Sequence, residues 1–456
     1  MNSILSEKEY QKYILERLEK DNGYVVRDAK KYDRLFAMDR DMLFQFLENT
    51  QPEVMDALRK VYKDDLEETL VNYINSEMTK KGSCLISVLK HGIEISNQKL
   101  ELMYTLPATT FNQDLVDKCQ KNIFSVMEEV WASDKERVDL VIFLNGLAIM
   151  SFELKCNAAG QSYEDAIYQY RKERSPKTRL FLFKAGCLVN FAMDLEEVYM
   201  TTRLTRDTTN FLPFNMGNAG AGNPIYEDKF SVSYMWEDIL TKETLLDLLG
   251  RFVFLETKEE KDEDSGKKKQ KETLIFPRYH QLDVIRQLIG DVLINKTSQN
   301  YLIQHSAGSG KTNSIAWLAY RLSSLHDADN KMVYDNVIIV TDRVVVDRQL
   351  QAAIMGMEHK AGLIRVMDEK CNSVDLANAL NGNTKIIATT IQKFPYIVDS
   401  VAGLKEKKFA VIIDEAHSST AGKDMAAITK SLGAGEQEYM DSEEMIVDEI
   451  VRHGKQ

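Results

Sequence analysis

Cysteine is scarce and scattered in this sequence: Cys84, Cys119, Cys156, Cys187 and Cys371 are odd in number, far apart and form no C-x-x-C pair. A disulfide framework and a zinc ribbon are therefore excluded, and a reducing cytoplasm is the compartment that fits. Long apolar runs are missing too. No stretch of about eighteen apolar residues would span a bilayer, and the amino terminus is charged almost at once, so neither a membrane segment nor a signal peptide is read. Nor is positive charge in excess, since 58 Lys and Arg face 70 Asp and Glu for a formal charge of −12. That excludes a protein coated in positive charge, though not a local basic groove. At 456 residues the chain calls for two or three domains, and its apolar share is ample for real cores.

What the chain does have is a glycine-containing loop, Gln304-His305-Ser306-Ala307-Gly308-Ser309-Gly310-Lys311-Thr312. It follows the apolar run Tyr301-Leu302-Ile303, read as a strand, and precedes residues 314–319, read as a helix. Gly308, Ser309 and Gly310 let backbone N–H groups turn toward a phosphate chain, and the positive end of the helix faces the same point. Lys311 would reach the β- and γ-phosphates of ATP, and the Thr312 hydroxyl would hold Mg²⁺. One departure is visible: His305 stands where the usual pattern has its first glycine.

Further on, residues 409–413 read as a buried parallel strand ending in Asp414-Glu415-Ala416-His417. An aspartate there can bind the Mg²⁺ that bridges the phosphates, and Glu415 can orient or activate the attacking water. Gln281, upstream of the loop, is a candidate reader of adenine. Residues 337–341 and 385–392 read as further strands. From about residue 274 the pattern is thus a doubly wound parallel sheet with ATP at the carboxyl ends of the strands.

The amino-terminal half reads as a mixed α/β domain. Residues 7–19 show helical spacing and lead into a strand at 24–26, residues 39–78 stay helical with a break at Pro52, and residues 87–106 alternate like strands. The informative part is an apolar hairpin around Asn145-Gly146, a strong turn signal. Glu153 and Lys155 are two apart on a strand and share a face. A two-residue loop would set Asp139 opposite Phe152 and aim it at the far side of the sheet. A three-residue loop, Leu144 to Gly146 with a glycine bulge, sets it opposite Ser151, on the face of Glu153 and Lys155.

The three-residue loop is the expectation, because both faces of the hairpin are otherwise apolar and two acids and a lysine need a reason to be there. Converging, the two carboxylates can hold Mg²⁺ and the lysine can assist the nucleophile or neutralise a phosphate. The alternative is a Glu–Lys pair at a sheet edge with an unrelated aspartate.

Residues 160–172 read as a helix carrying Tyr168, Gln169 and Tyr170 beside cations, which either touch a nucleic-acid backbone or seat tyrosines on the sheet. Strand-like runs follow at 180–183 and 188–192. Residues 257–272 are an almost unbroken charged run with no apolar face, read as a solvated linker or mobile loop.

The order of Gln281, the loop through Thr312, Thr341-Asp342-Arg343, Thr389-Thr390 and Asp414-Glu415-Ala416-His417 resembles the first motor domain of superfamily 2 helicases and translocases. With Asp139, Glu153 and Lys155 upstream, the whole chain resembles the restriction (R) subunit of a Type I restriction-modification enzyme. Stretches such as Leu89-Lys90-His91-Gly92 and Pro277-Arg278-Tyr279-His280-Gln281 extend the likeness. It implies an α/β protein with a PD-(D/E)xK nuclease-like domain at 1–256, a charged linker at 257–273 and a RecA-like doubly wound parallel-sheet domain at 274–456.

The implied activity is that of a Mg²⁺-dependent endonuclease fused to an ATP-dependent translocase of double-stranded DNA, working with methyltransferase (M) and specificity (S) subunits. On this resemblance Asp139 and Glu153 are metal ligands, Lys155 is the catalytic lysine, and Asp414 and Glu415 serve ATP hydrolysis. An acid on the first helix, Glu7 or Glu9, would complete the nuclease site.

Two departures accompany the likeness. The Q-x-x-x-Y signature that follows the lysine in many relatives is not matched, since Ala166 stands four residues before Tyr170 and Gln169 stands beside it. The sequence also reaches Gln456 soon after the acidic box without a second motor domain, which implies weak nucleotide binding and little ATPase for this segment. A runner-up from another class is a DNA-repair or defence helicase whose inactive nuclease-like domain serves for docking.

Overall fold

The computed structural model of the chain describes residues 6–109, 111–261, 268–295, 299–306, 308–341, 348–357, 363–367, 371–382, 384–390 and 407–415. Its contacts define two units, Met1–Val333 with Arg348–Lys360, and Tyr334–Asp347 with Ala361–Gln456.

The first unit is built on a nine-stranded mixed sheet. Its main path runs Val25–Arg27, Phe124–Ser133, Glu136–Leu144, Leu147–Leu154, Val189–Met193, Val198–Thr201 and Leu212–Pro213. Both strands of the central hairpin are buried almost throughout, as a continuous apolar run on a two-sided sheet requires. Val189–Met193 lies parallel to Leu147–Leu154, and the crossover between them contains the helix Tyr163–Lys172. That helix sets Ala166, Ile167 and Tyr170 in a core with Val141, Phe143 and Ala192 of the sheet.

The helix Glu7–Lys20 buries Tyr10, Ile14 and Leu18 and starts at Ser6, whose side chain accepts from the Glu9 amide. The helical stretch after residue 39 forms three helices, Arg40–Thr50, Pro52–Tyr62 and Leu66–Thr79, with Pro52 at a helix start where no N–H is needed.

Four local expectations are corrected. Residues 180–183 are not a strand: Arg179–Phe181 is a 3₁₀ turn, because the Cys187 amide returns to Leu180 O at 2.8 Å and folds Leu180 and Phe181 into the core. The alternation across 87–106 becomes the helix Leu85–His91 followed by a short hairpin, Ile93–Ile95 with Gln98–Leu100.

The charged run is a two-stranded antiparallel ribbon, Phe254–Lys261 with Lys268–Ile275, rather than an unstructured linker. Its ends explain why: Phe254 and Leu274 are buried at the base, and Phe254 meets Trp317 edge-on at 6.3 Å. Residues 301–303 form no strand, and Leu302 is exposed. The helices Tyr279–Asn295 and Lys311–Ser323 belong to this unit, where Trp317 Nε1 donates to Phe252 O at 2.9 Å.

The second unit holds a four-stranded parallel sheet in the order Ile364–Val366, Ile386–Thr390, Asn336–Thr341, Phe409–Asp414. The helix Ser373–Asn381 packs Leu376 and Leu380 on Ile338, Val340 and Ile387. Parallel strands joined through a helix place this unit in the α/β class. Among the described residues no helix is long and apolar enough to cross a membrane.

Candidate functional site

The central hairpin turns at Asn145 and Gly146, both at positive φ, with Leu144 paired to Leu147. The loop therefore has two residues, and the three-residue expectation is wrong. Asp139 nevertheless reaches the expected face. Phe143 pairs with Ala148 but Ile142 pairs with Met150, so Ile149 is an extra residue in the second strand. This bulge shifts parity by one. Leu140 then pairs with Phe152, and one step on Asp139 comes opposite Glu153.

The bulge is held from the other side, where Leu188 N donates to Ile149 O at 2.9 Å. The turn is equally fixed. Asn145 Nδ2 donates to Leu102 O at 2.9 Å, and a Cβ at Gly146 would lie 2.4 Å from Asp39 O.

Asp139, Glu153 and Lys155 are all buried. Asp139 Oδ2 accepts from Leu154 N at 2.7 Å, while its main-chain carbonyl accepts from Gln11 Nε2 on the first helix at 3.0 Å. Lys155 Nζ donates to Glu7 Oε2 and to Leu154 O, each at 2.8 Å. Of the two first-helix acids, Glu7 is thus the one at the site, and Glu9 is exposed. Glu153 Oε1 accepts from Arg174 Nε at 2.7 Å, whereas Oε2 is buried with no hydrogen-bond partner among the described residues.

Burial pushes the Asp139 carboxyl up to about 6, against the Leu154 amide and Lys155. Burial and then the Asp139 charge push Glu153 up to about 8, against the opposing pull of Arg174. Crowded acids with one bare oxygen are a donor set suited to a hard divalent cation, which commonly takes one or two carboxylates and keeps its waters. Among the described residues there is no group of three or more His, Cys, Asp or Glu that could hold a metal ion.

Arg174 was not singled out from the sequence. It ends the run Arg171-Lys172-Glu173-Arg174, which looks like a solvated helix end, and only folding buries it. Tyr170 is also buried and its hydroxyl meets Ser151 Oγ at 2.9 Å, so this tyrosine packs on the sheet, while Tyr168 is exposed.

At the glycine-containing loop, Gly308 and Gly310 both have positive φ, and Gly310 starts the helix Lys311–Ser323 without a side-chain cap. Such a start directs the first N–H groups of Lys311 and Thr312 at whatever lies before them. Ser309 is buried and Thr312 half-buried. Gln281 is buried and its Nε2 donates to Ser309 O at 3.2 Å and Gly310 O at 3.0 Å, so its amide braces the loop. His305 Nδ1 lies 2.9 Å from Ser309 Oγ, and His280 Nε2 lies 3.2 Å from Ser309 O. Burial first, then His280 and Lys311, push the His305 imidazole below its ordinary value.

In the second unit Thr341 pairs with both Asp414 and Thr390, so the three stand in a row at the carboxyl edge of neighbouring parallel strands. Glu415 follows with φ of 58°. Asp342, Arg343, Ala416 and His417 lie outside the described residues.

Residues 4–209 match the family model described as the Type I restriction enzyme R protein N terminus, and residues 280–436 match the SWI2/SNF2 ATPase model. A Methanocaldococcus jannaschii protein provisionally named as the endonuclease subunit of the type I restriction enzyme MjaVIIIP is 24% identical over 399 residues, covering 79% of this chain and 35% of that protein. The endonuclease subunit of the Type I restriction enzyme SauCOLORF180P of Staphylococcus aureus is 26% identical, over 68% of this chain and 30% of its own length. That of Type I restriction enzyme HindI of Haemophilus influenzae is 25% identical, over 62% and 26%. The chain thus spans between about a quarter and a third of the length of these relatives.

Proposed function

Because the chain belongs to the restriction (R) subunits of Type I restriction-modification enzymes, at partial length, we propose that it carries the endonuclease site and part of the ATP-dependent motor of such an enzyme. The substrate is double-stranded DNA, and the partners are the methyltransferase and specificity subunits. One observation carries the nuclease reading: a bulge at Ile149 brings Asp139 onto the face of Glu153 and Lys155.

In this reading Asp139 and Glu153 hold Mg²⁺, which when bound supplies charge stabilisation at phosphorus and a positioned water. Lys155, held by Glu7, presents its ammonium to the scissile phosphate or to the attacking water. In the motor, Gly308, Ser309, Gly310 and Lys311 take the phosphates of ATP, with Gln281 bracing the loop through its amide while its oxygen accepts from Arg278 N at 2.9 Å. Thr312 and Asp414 are metal ligands, and Glu415 orients the hydrolytic water. ATP supplies the free energy for translocation. The five free cysteines support a reducing compartment, the cytoplasm.

The test is Lys155→Ala in the complete R subunit combined with its M and S partners. Cleavage of plasmid DNA carrying recognition sites should vanish while ATP turnover persists. Cutting at the unmodified rate would leave the nuclease reading without its catalytic lysine and would favour a docking domain.

A further inference from the structure

We propose that Arg174 is a positioning residue of the nuclease site, holding Oε1 of Glu153 so that Oε2 alone is presented to a divalent cation. The inference rests on the reading of Asp139 and Glu153 as metal ligands, and it concerns how one of them is aimed.

Arg174 follows the helix Tyr163–Lys172, and its amide donates to Gln169 O at 3.1 Å, so the helix end sets where its side chain begins. The guanidinium is buried and spans both strands that carry the acids. Nε donates to Glu153 Oε1 at 2.7 Å and Nη2 donates to Arg137 O, two residues before Asp139, at 2.7 Å. The remaining Nη1 is 3.5 Å from Glu173 Oε2, toward solvent.

The bond to Arg137 O sets the plane of the guanidinium, and from that fixed plane Nε holds Glu153 Oε1, a two-point use for which arginine is suited and lysine is not. The consequence is visible at Oε2, which is buried and has no donor among the described residues. A buried acceptor without a partner is costly, and a cation bound there would offset that cost.

A purely neutralising role predicts something different. Asp139, Glu153 and Glu7 face Lys155 and Arg174, so removing Arg174 makes the site more negative. Charge alone then acts two ways, making the site more negative while leaving Glu153 to hold its proton more tightly, but it leaves R174K, which keeps the positive charge, at wild-type affinity. If the guanidinium aims the carboxylate, its loss lets Glu153 rotate and binding weakens. The two roles differ at R174K.

The experiment measures Mn²⁺ binding to this chain without nucleotide, following the electron-spin resonance signal of the free ion at pH 7.5. Wild type, E153Q, R174M and R174K are compared, with near-ultraviolet circular dichroism as the check on folding. E153Q should lose the site. R174M should bind on the order of tenfold more weakly, as supporting partners of metal ligands commonly do, with R174K in between.

R174M binding as tightly as wild type, or more tightly, overturns the proposal. If R174M does not fold, R174K carries the test, and wild-type affinity in R174K overturns it equally. Should E153Q keep the wild-type affinity, the metal-site reading itself fails, which is a different result from failure of Arg174 alone.

Discussion

Glu7 and Lys155 are 148 residues apart in the chain, yet Glu7 Oε2 accepts from Lys155 Nζ at 2.8 Å, tying the start of the first helix to the end of a central strand. The lysine is buried and the glutamate about one-third exposed, so the pair is worth more than a surface ion pair and less than a fully desolvated one. Glu7→Gln should lower stability to urea by ~1–3 kcal/mol, the range for a hydrogen bond to a charged group. A double-mutant cycle with Lys155→Met should return a coupling of about 1 kcal/mol or more. Additive effects would show that the two side chains do not interact.

Stability without metal should fall as pH rises. Asp139 and Glu153 are held in the folded chain at about 6 and about 8, above their ordinary values near 3.8 and 4.5. An acid raised by folding binds its proton more tightly in the native state, so its favourable contribution is full below the unfolded value and is lost on passing the folded one. In EDTA, thermal stability should decline between roughly pH 4 and 8, by on the order of a few kcal/mol in all. Asp139→Asn with Glu153→Gln should flatten that slope, and Mg²⁺ should restore stability most at the alkaline end. A slope unchanged in the double variant would place its origin elsewhere.

Gly310 cannot take a side chain without disturbing the loop. Its φ is +87°, and an added Cβ would lie 2.4 Å from Gln281 Nε2. Gly310→Ala should weaken binding of a fluorescent ATP analogue on the order of tenfold, since both the turn and its brace must move. Adding Gln281→Ala should recover part of that loss, because the clash is relieved while the strained φ remains. No recovery at all would mean that Gln281 does not set the loop.

At the hairpin turn, Gly146→Ala meets backbone rather than a flexible side chain, with Asp39 O at 2.4 Å and Leu43 N at 2.6 Å. The loss of stability should be large, ~2–4 kcal/mol from the left-handed φ and the overpacking together. Chemical denaturation measures it directly. A cost below about 0.5 kcal/mol, as for an exposed surface site, would contradict the buried turn.

Much of the architecture was legible in advance because it is local. The helix Glu7–Lys20, the hairpin at Asn145 and Gly146, the helix Tyr163–Lys172 and the strand Phe409–Asp414 each follow from periodicity and from residues suited to turns and caps. Residues 180–183 and 301–303 misled because short apolar runs look alike whether they pair in a sheet, turn into a core or stay unpaired. The ribbon at Phe254–Lys261 was hidden by its charges, since its few anchoring apolar residues sit at the ends of the run.

The sequence by itself determined which chemistry was present: two acids and a lysine in an apolar hairpin, and a glycine-containing loop opening a helix. It also marked Asn145-Gly146 as the turn, since Asn-Gly suits two successive positive φ values, but not the length of the loop, which is two residues rather than the expected three. Only the tertiary structure decided which face Asp139 takes. That depends on one bulged residue, Ile149, held by the amide of Leu188, just before a strand that arrives some forty residues later through a helical crossover. Tertiary structure likewise decided that Arg174 is buried against Glu153. Turn preference acts between neighbours in the chain, whereas strand parity and the burial of a charge are set by partners that meet only when the sheet closes.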